Sequence, residues 1–409
     1  MAEQLRIGLL GRGTVGGAFE ALVAERADAV AQATGRLPVI AGILTRSQGD
    51  FDSILADSDV IVEVMGGLDP AKSMIEASLR SGKPVISANK QLLSRHGDEL
   101  WELARTTGTQ LRFEAAVAGV VPVIRVLGGS LSGARIDRIH GIVNGTTNFI
   151  LSEMARTGAD YAEVLGQAQQ LGYAEADPTE DVAGLDARAK IQILARLAFG
   201  TAVDVESIPC EGIERIQPDD IAYASELGLG LKLIATAERV GDGLSVRVHP
   251  AFLYPEHPLA SVGGAFNAVT IESEAITEIT LSGPGAGGPQ TASAVLGDLV
   301  AIAKGATFDV PPADRPLEVV PDSVSSFYLY LEVEDRPGVL AQVAAVLGER
   351  GVSVRSVVQR GIAGNARLVM VSHPVADSVF RGALAELEGL DSIRAEPRSI
   401  RVIEEDFSG

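Results

Sequence analysis

Cysteine is almost missing: Cys210 is the only one in 409 residues. An intramolecular disulfide is therefore impossible, and a thiolate metal cluster is excluded. Aromatic residues are also scarce, 4% against 46% hydrophobic residues in all, so the cores are expected to be built from Val, Leu, Ile and Ala. No apolar run approaches the ~18 continuous residues of a membrane helix. Basic residues are outnumbered 34 to 54, giving a formal net charge of -20. Such a surface repels phosphate backbones, which excludes nucleic acid as the expected partner. Any bound anion must be held locally, by backbone amides or a placed arginine. The opening MAEQLRIGLLG enters a strand pattern with no basic, signal-like start. A soluble cytoplasmic protein is the simplest expectation.

What is present is a regular alternation of strand and helix, in a chain long enough for two or three cores. LRIGLL (Leu5–Leu10) reads as a buried parallel strand, followed by a helix over 15–33 and strands over 38–44, 59–65, 84–88 and 110–117. Helices over 70–81 and 91–107 separate the later ones, which predicts a doubly wound α/β sheet over residues 1–135. Residues 136–308 read as α+β, with helices over 161–171 and 182–199 and half-buried strands over 245–253, 267–273 and 276–282. A helix at about 289–305 follows a glycine turn and is expected to return to the first domain. The stretch 309–326 is rich in proline and serine and reads as a linker. Residues 327–409 then read as a small βαββαβ unit.

The first strand runs into GRGTVG, with Gly11, Gly13 and Gly16 around Thr14 and Val15. Gly11 would allow the tight turn, Gly13 the close approach of a pyrophosphate, and Gly16 the packing of helix on strand, while the helix N-terminus holds negative charge. A tight turn without a ligand is the alternative, but the strand before and helix after favour a dinucleotide. At the end of the second strand, where an acid would bind the ribose of NAD, LTRSQGD places Arg46 and Ser47. Those residues suit a 2′-phosphate, so NADP is favoured, with NAD still possible.

GYAEADPTEDVAGLDARAK places Asp186 and Lys190 one helical turn apart, in line with the apolar Ile193, Leu194 and Leu197. Either the pair is an ordinary structural one, or the helix turns chemistry into a cleft. Desolvation would lower the lysine's pKa while the carboxylate favoured its charged form, a competition that tunes acid–base groups. Glu175, Asp177, Glu180 and Asp181 in the preceding loop suit a substrate ammonium, or are solvated surface with Asp181 as a helix cap. Lys90, in SANK, lies just past a strand end, where a doubly wound sheet borders its ligand crevice.

Taken together, GRGTVGG, SANK, FEAAVAGVVPVIR, NGTTNFIL, GYAEADPTEDVAGLDARAK and GPGAGG occur in the order seen in homoserine dehydrogenases, and the chain resembles that family over essentially its whole length. The resemblance implies a Rossmann-type domain, an α+β catalytic and dimerisation domain, and a nicotinamide-dependent interconversion of L-homoserine and L-aspartate 4-semialdehyde. It also implies Lys190 as the acid–base group, Lys90 as a second lysine near cofactor and reacting oxygen, and Glu175 and Asp186 as substrate-binding acids. Gly145 and Thr146 fall in the family's substrate loop, and Gly285 and Gly287 in a loop returning to the cofactor. Backbone carbonyls near Glu114, Val117, Gly119 and Val121 match a monovalent-cation site for Na+ or K+. EDRPGVLAQVAAVL resembles an ACT domain, a ferredoxin-like amino-acid sensor, with Asp335, Gly338 and Val339 at its turn. This implies feedback control, most often by L-threonine, in a homodimer or homotetramer.

Two other readings are weaker. An aspartate-semialdehyde dehydrogenase needs a cysteine nucleophile, and Cys210 in SIPCEGI lacks that setting. A sensor without turnover would be expected to have replaced Lys90 or Lys190. A fused aspartokinase is not expected where the dinucleotide strand begins at Leu5.

Overall fold

The computed structural model describes residues 2–313, 316–320, 322–362 and 365–403. The apolar runs form β1 (Glu3–Leu10), β2 (Arg36–Leu44), β3 (Val60–Glu63), β4 (Val85–Ser87) and β5 (Leu111–Arg112). They make one parallel sheet in the order β2-β1-β3-β4-β5, joined by α1 (Thr14–Thr34), α2 (Phe51–Asp57), α3 (Ala71–Arg80) and α4 (Lys90–Thr106). Ile7, Leu9, Val60, Ile61 and Val62 are wholly buried, as strands covered on both faces must be. The strand order reverses between β1 and β3, so the ligand crevice of this doubly wound sheet lies outside their carboxyl ends.

The strand expected over 110–117 stops at Arg112, and Glu114–Ala116 forms a 3-10 turn instead. The reason is the Glu114 carboxylate, which turns back to accept the backbone N–H groups of Ile124 and Arg125, both at 3.0 Å. Left-handed Ala118 (φ 56°) and Gly119 (φ 63°) then reverse the chain into the single helical turn α5 (Val123–Arg125).

The second domain sets β6 (Arg138–Ile142), β7 (Gly230–Val240), β8 (Gly243–Leu253), β9 (Phe266–Ser273) and β10 (Thr277–Pro284) in a sheet. Helices α6 (Gly145–Thr157), α7 (Tyr161–Gln170), α8 (Thr179–Val182), α9 (Leu185–Phe199) and α10 (Pro218–Glu226) accompany it. The single helix expected over 182–199 is two, broken at Gly184 with φ of 80°. A side chain there would press on Cys210 Sγ at 3.0 Å. Sequence periodicity also missed α6, α10 and β7. The helix α11 (Gly288–Ala303) packs on α1, where a Cβ on Gly288 would lie 3.0 Å from Thr14 O and 3.3 Å from Ala18 Cβ.

Within 309–326, the chain adds β11 (Glu318–Val319), which pairs with β8, and begins β12 (Val324–Glu334); residues 314, 315 and 321 of that stretch lie outside the described residues. The βαββαβ unit continues through α12 (Val339–Glu349), β13 (Val354–Ile362), β14 (Asn365–Ser372), β15 (Val375–Ala376), α13 (Asp377–Glu388) and β16 (Arg398–Ile403). Residues 404–409, assigned to this unit from the sequence, also lie outside the described residues. The unit does not stand apart. β16 pairs in parallel with β8, so both sheets run on as one in the order β10-β9-β6-β7-β8-β16-β12-β14-β13. On β12, Phe327, Leu329 and Leu331 form a small core with Val343 of α12 and Phe380 of α13. Tyr328 and Tyr330 alternate onto the other face and join the large core beside Phe252 and Tyr223. Among the described residues no helix is long and apolar enough to cross a membrane.

Candidate active site

At the carboxyl end of β1, Gly11 takes φ of 101°, and a Cβ there would lie 2.8 Å from Val64 O. A Cβ on Gly16 would lie 2.0 Å from Gly11 O, so helix and loop close only around glycine, while Gly13 faces open space. Beyond this cradle lies a cleft of about 630 Å³ bordered by Gly11, Gly13, Thr45, Arg46, Ser47 and Gly66. A pyrophosphate at the start of α1 fits this shape, with Thr14 and Val15 as its first helical amides. Arg46 stands exposed on the rim. Arg12 also borders the cleft, although its guanidinium is paired with Glu20 at 2.7 Å.

Glu63, at the end of β3, is wholly buried. It accepts Met65 N at 2.8 Å and Gly66 N at 3.3 Å on one oxygen, and the Ser87 hydroxyl at 2.7 Å on the other. Ser87 Oγ in turn accepts Asn89 N at 3.1 Å, and Asn89 caps α4 by accepting Leu92 N at 3.1 Å. Burial pushes the Glu63 carboxyl above the usual range, against these hydrogen bonds. The network ties the loop after β3, which borders the cleft, to the first residue of α4, which is Lys90.

Lys90 reaches across the domain boundary to one oxygen of Asp186 on α9. The other oxygen takes Lys190 Nζ at 2.7 Å and Asn144 Nδ2 at 2.9 Å. Lys190 Nζ also donates to Val143 O at 2.7 Å, which Asn267 Nδ2 reaches at 3.1 Å. Asp186 is 2% exposed and the Lys190 side chain 12%, so this is no solvated surface pair. Packing of α4 on α9, with Arg196 Nε 2.5 Å from Asp98, keeps the two lysines opposed.

Burial opposes the charge on Asp186, yet Lys190 and Lys90 together hold its carboxyl below the usual range. Burial lowers Lys190, and the neighbouring Lys90 charge lowers it further, only partly offset by Asp186. Lys90 moves the other way: burial is outweighed by Asp186, Asp181 and Glu180. Two lysines pushed apart in this way suit two roles, one exchanging a proton and one remaining a cation.

Asn144 was not singled out from the sequence, although an asparagine before an apolar helix is a cap signal. It caps α6 by accepting Thr147 N at 2.8 Å and donates to Asp181 at 2.7 Å. Asp181 therefore faces this cluster and does not cap α9, whose N-cap is Gly184. Gly145 follows Asn144 where a Cβ would lie 2.7 Å from Ala265 O. Thr146 Oγ1 donates to Tyr173 O at 2.7 Å, tying α6 to the acidic loop, and Glu175 is exposed on that loop.

Gly285 lies over the Asn267 carboxamide, with its Cβ position 2.1 Å from that group. Gly287, at φ of 120°, is the N-cap of α11. Gly119 meets Gly285 O, 2.5 Å from its Cβ position, so the 117–121 turn and the 283–288 loop touch. Among Glu114, Val117, Gly119 and Val121, the carbonyls of Glu114 and Val121 already accept Val117 N at 3.4 Å and Val123 N at 2.8 Å. At the 335–339 turn, Gly338 is left-handed (φ 92°) and caps α12, Val339 is buried, and Asp335 is exposed. Among the described residues no cluster of His, Cys, Asp or Glu could hold a metal by side chains.

Comparisons with known proteins agree along the chain. Family profiles match residues 11–114 (Homoserine dehydrogenase, NAD binding domain), 122–300 (Homoserine dehydrogenase) and 327–392 (ACT domain). The homoserine dehydrogenase of Synechocystis sp. is 41% identical, with 98% of this chain and 99% of the relative covered. That of Corynebacterium glutamicum is 40% identical, with 97% and 95% covered. The structure of a homoserine dehydrogenase from Thiobacillus denitrificans superposes with a TM-score of 0.92 at 34% identity, covering 98% of this chain and 99% of that one. A hyperthermophilic archaeal homoserine dehydrogenase in complex with NADPH gives 0.64 at 28% identity, covering 75% and 100%.

Proposed function

The chain belongs to the homoserine dehydrogenase family, and on that premise we propose that Lys190, Lys90 and Asp186 carry the reversible interconversion of L-homoserine and L-aspartate 4-semialdehyde. The observation that carries this assignment is the convergence of one lysine from each domain on a single buried carboxylate. A bound nicotinamide supplies hydride transfer, which no side chain can perform. Lys190, as a neutral amine, takes the proton of the C4 hydroxyl during oxidation of homoserine; as an ammonium it returns that proton during reduction of the aldehyde. Its lowered pKa brings both forms closer to neutral pH than an ordinary lysine. Lys90 stays cationic and steadies the developing alkoxide. Asp186 orients both lysines, and with Glu175 it provides negative charge for the substrate ammonium. Gly145 and Thr146 shape the start of α6 beside them.

NADP is the preferred dinucleotide in this reading, because Arg46 and Ser47 border the cleft at the end of β2 and their donors suit a 2′-phosphate. Hard carbonyl oxygens around the left-handed Ala118–Gly119 turn suit Na+ or K+, which would brace the turn against the Gly285 loop. An amino-acid effector, L-threonine in this reading, acts through the ACT unit, whose turn holds Asp335, Gly338 and Val339. A homodimer or homotetramer is the expected assembly. Acyl-thioester chemistry finds no support. Burial pushes the Cys210 thiol up to about 11, and its Sγ hydrogen-bonds Ala183 O at 3.2 Å, outside the lysine cluster.

The test is homoserine-dependent reduction of NADP and of NAD, in wild type and in Arg46→Gln. Turnover with both substrates present is expected, and Arg46→Gln should raise the KM for NADP about tenfold, some 1.4 kcal/mol, leaving NAD unchanged. No turnover with either cofactor, in the presence of Na+ or K+, would sink the assignment.

A further inference from the structure

The ACT unit and the catalytic sheet enclose a second cleft of about 240 Å³, walled by Cys210, Glu211, Arg247 and His249 on one side and Arg381 and Arg401 on the other. The ACT side is cationic. Arg381 Nε lies 2.5 Å from Asp377, and Arg401 pairs with the same carboxylate. Arg401 Nε is buried and has no acceptor among the described residues. On the catalytic side Arg247 is already held by Glu238 at 2.6 Å and Ser245 at 2.9 Å. His249 accepts Arg247 Nε at 3.3 Å, and burial keeps its imidazole neutral. That leaves Glu211, which makes no ion-pair contact among the described residues, although the charges of Arg401, Arg381 and Arg215 act on it from a distance. Unspent guanidinium donors therefore face a carboxylate that they do not contact, across a space below the usual ~300–1,000 Å³ of larger ligands.

We propose that this junction cleft binds a free α-amino acid, its carboxylate on Arg381 and Arg401 and its ammonium on Glu211, at a site separate from the Asp335–Val339 turn. A simple anion would satisfy the arginines but be repelled by Glu211, and a nucleotide would not fit. The proposal rests on the reading that the ACT unit serves amino-acid control, and locates a place where such control can reach the chemistry. Glu211 N donates to Val248 O at 2.9 Å, and its neighbour Cys210 touches Ala183 O and Gly184. Gly184 caps α9, two residues before Asp186. The ligand therefore bridges the ACT helix α13 and strand β16 to the segment that seats the catalytic carboxylate. A ligand that prefers one spacing of these walls shifts the site by its difference in affinity for the two states, and substrate must shift ligand affinity equally.

The experiment is calorimetric titration of the full-length protein with L-threonine, L-methionine, L-isoleucine and L-lysine separately, and with inorganic phosphate. Arg381→Gln, Glu211→Gln and Asp335→Asn are compared with wild type, and turnover without amino acid is recorded for each. Arg381 and Glu211 are both exposed, so these variants should fold and keep their basal turnover. Saturable binding of at least one amino acid is expected, weakened about tenfold or more by either Arg381→Gln or Glu211→Gln, as loss of a charged hydrogen bond implies, and unchanged in Asp335→Asn. Binding that is lost only in Asp335→Asn would overturn the cleft while leaving amino-acid control intact. Phosphate binding by the wild-type protein as tight as that of any amino acid, or no amino-acid binding at millimolar concentration, would overturn it as well. Because binding is read without turnover, failure of the dehydrogenase assignment would be recognised separately.

Discussion

Replacing Lys190 with methionine keeps an apolar stem of about the same length as far as Cε and removes the amine. In wild type, Nζ holds Asp186 at 2.7 Å and Val143 O at 2.7 Å. After the substitution, Asp186 still has Lys90 and Asn144, and Val143 O still has Asn267 at 3.1 Å. Neither partner is orphaned, so the stability loss should sit at or below the low end of the ~3–5 kcal/mol typical of a broken buried pair. The catalytic loss should be larger in relative terms. A positioned acid–base group contributes about 10²–10⁴ in rate, which is roughly 2.7–5.5 kcal/mol of barrier. Steady-state oxidation of homoserine should therefore show kcat down by that factor, with KM for NADP unchanged, because the glycine cradle belongs to the other sheet. Wild-type kcat/KM should rise with pH as Lys190 loses its proton, below the ~10.4 of an ordinary lysine, and the variant should lose that limb. A kcat within about threefold of wild type, or an equal loss of cofactor affinity, would refute the assignment.

Three further perturbations probe the supports of the site. Gly145→Ala would drive a methyl into Ala265 O, 2.7 Å from its Cβ position; we expect a stability loss of about 1–3 kcal/mol and a reduced kcat/KM for homoserine, and a variant with normal kinetics would remove Gly145 from the substrate loop. Glu63→Gln leaves one of the two oxygens that seat Met65, Gly66 and Ser87; about 1–3 kcal/mol of stability should be lost, with kcat falling severalfold as Lys90 shifts, whereas an unchanged kcat would confine Glu63 to a structural role. His257 is pushed down to about 4 by burial and by Arg138. The unfolded chain takes up that proton near pH 6.5 and the folded one only near 4, so stability should fall as pH drops through this window, by up to ~3 kcal/mol from this group. His140 and His249 act in the same direction. His257→Asn retains an acceptor for Leu259 N, met by Nδ1 at 3.1 Å in wild type, and should flatten the pH dependence in urea titrations; an unaltered slope would show that His257 titrates normally in the folded state.

The sequence alone determined the elements whose signals are local. Apolar runs specified β1 to β4, the first of them ending at Gly11, and the spacing of Gly11, Gly13 and Gly16 specified the cradle, because the steric demands of a tight turn act largely within a few residues. Periodicity also marked α9 and placed Asp186 and Lys190 on one face. It could not say what that face met. Lys90 lies 96 positions before Asp186 in the chain, and only the packing of α4 on α9 makes them partners. The same holds for Glu114, whose carboxylate ends a strand by capping amides ten residues on, and for the break at Gly184, which answers to Cys210 and Val248. The joining of the ACT sheet to the catalytic sheet was equally invisible. Strand propensity sets which residues extend, but hydrogen bonds between β16 and β8 depend on which edge is presented to which, and that is decided only when both domains have folded.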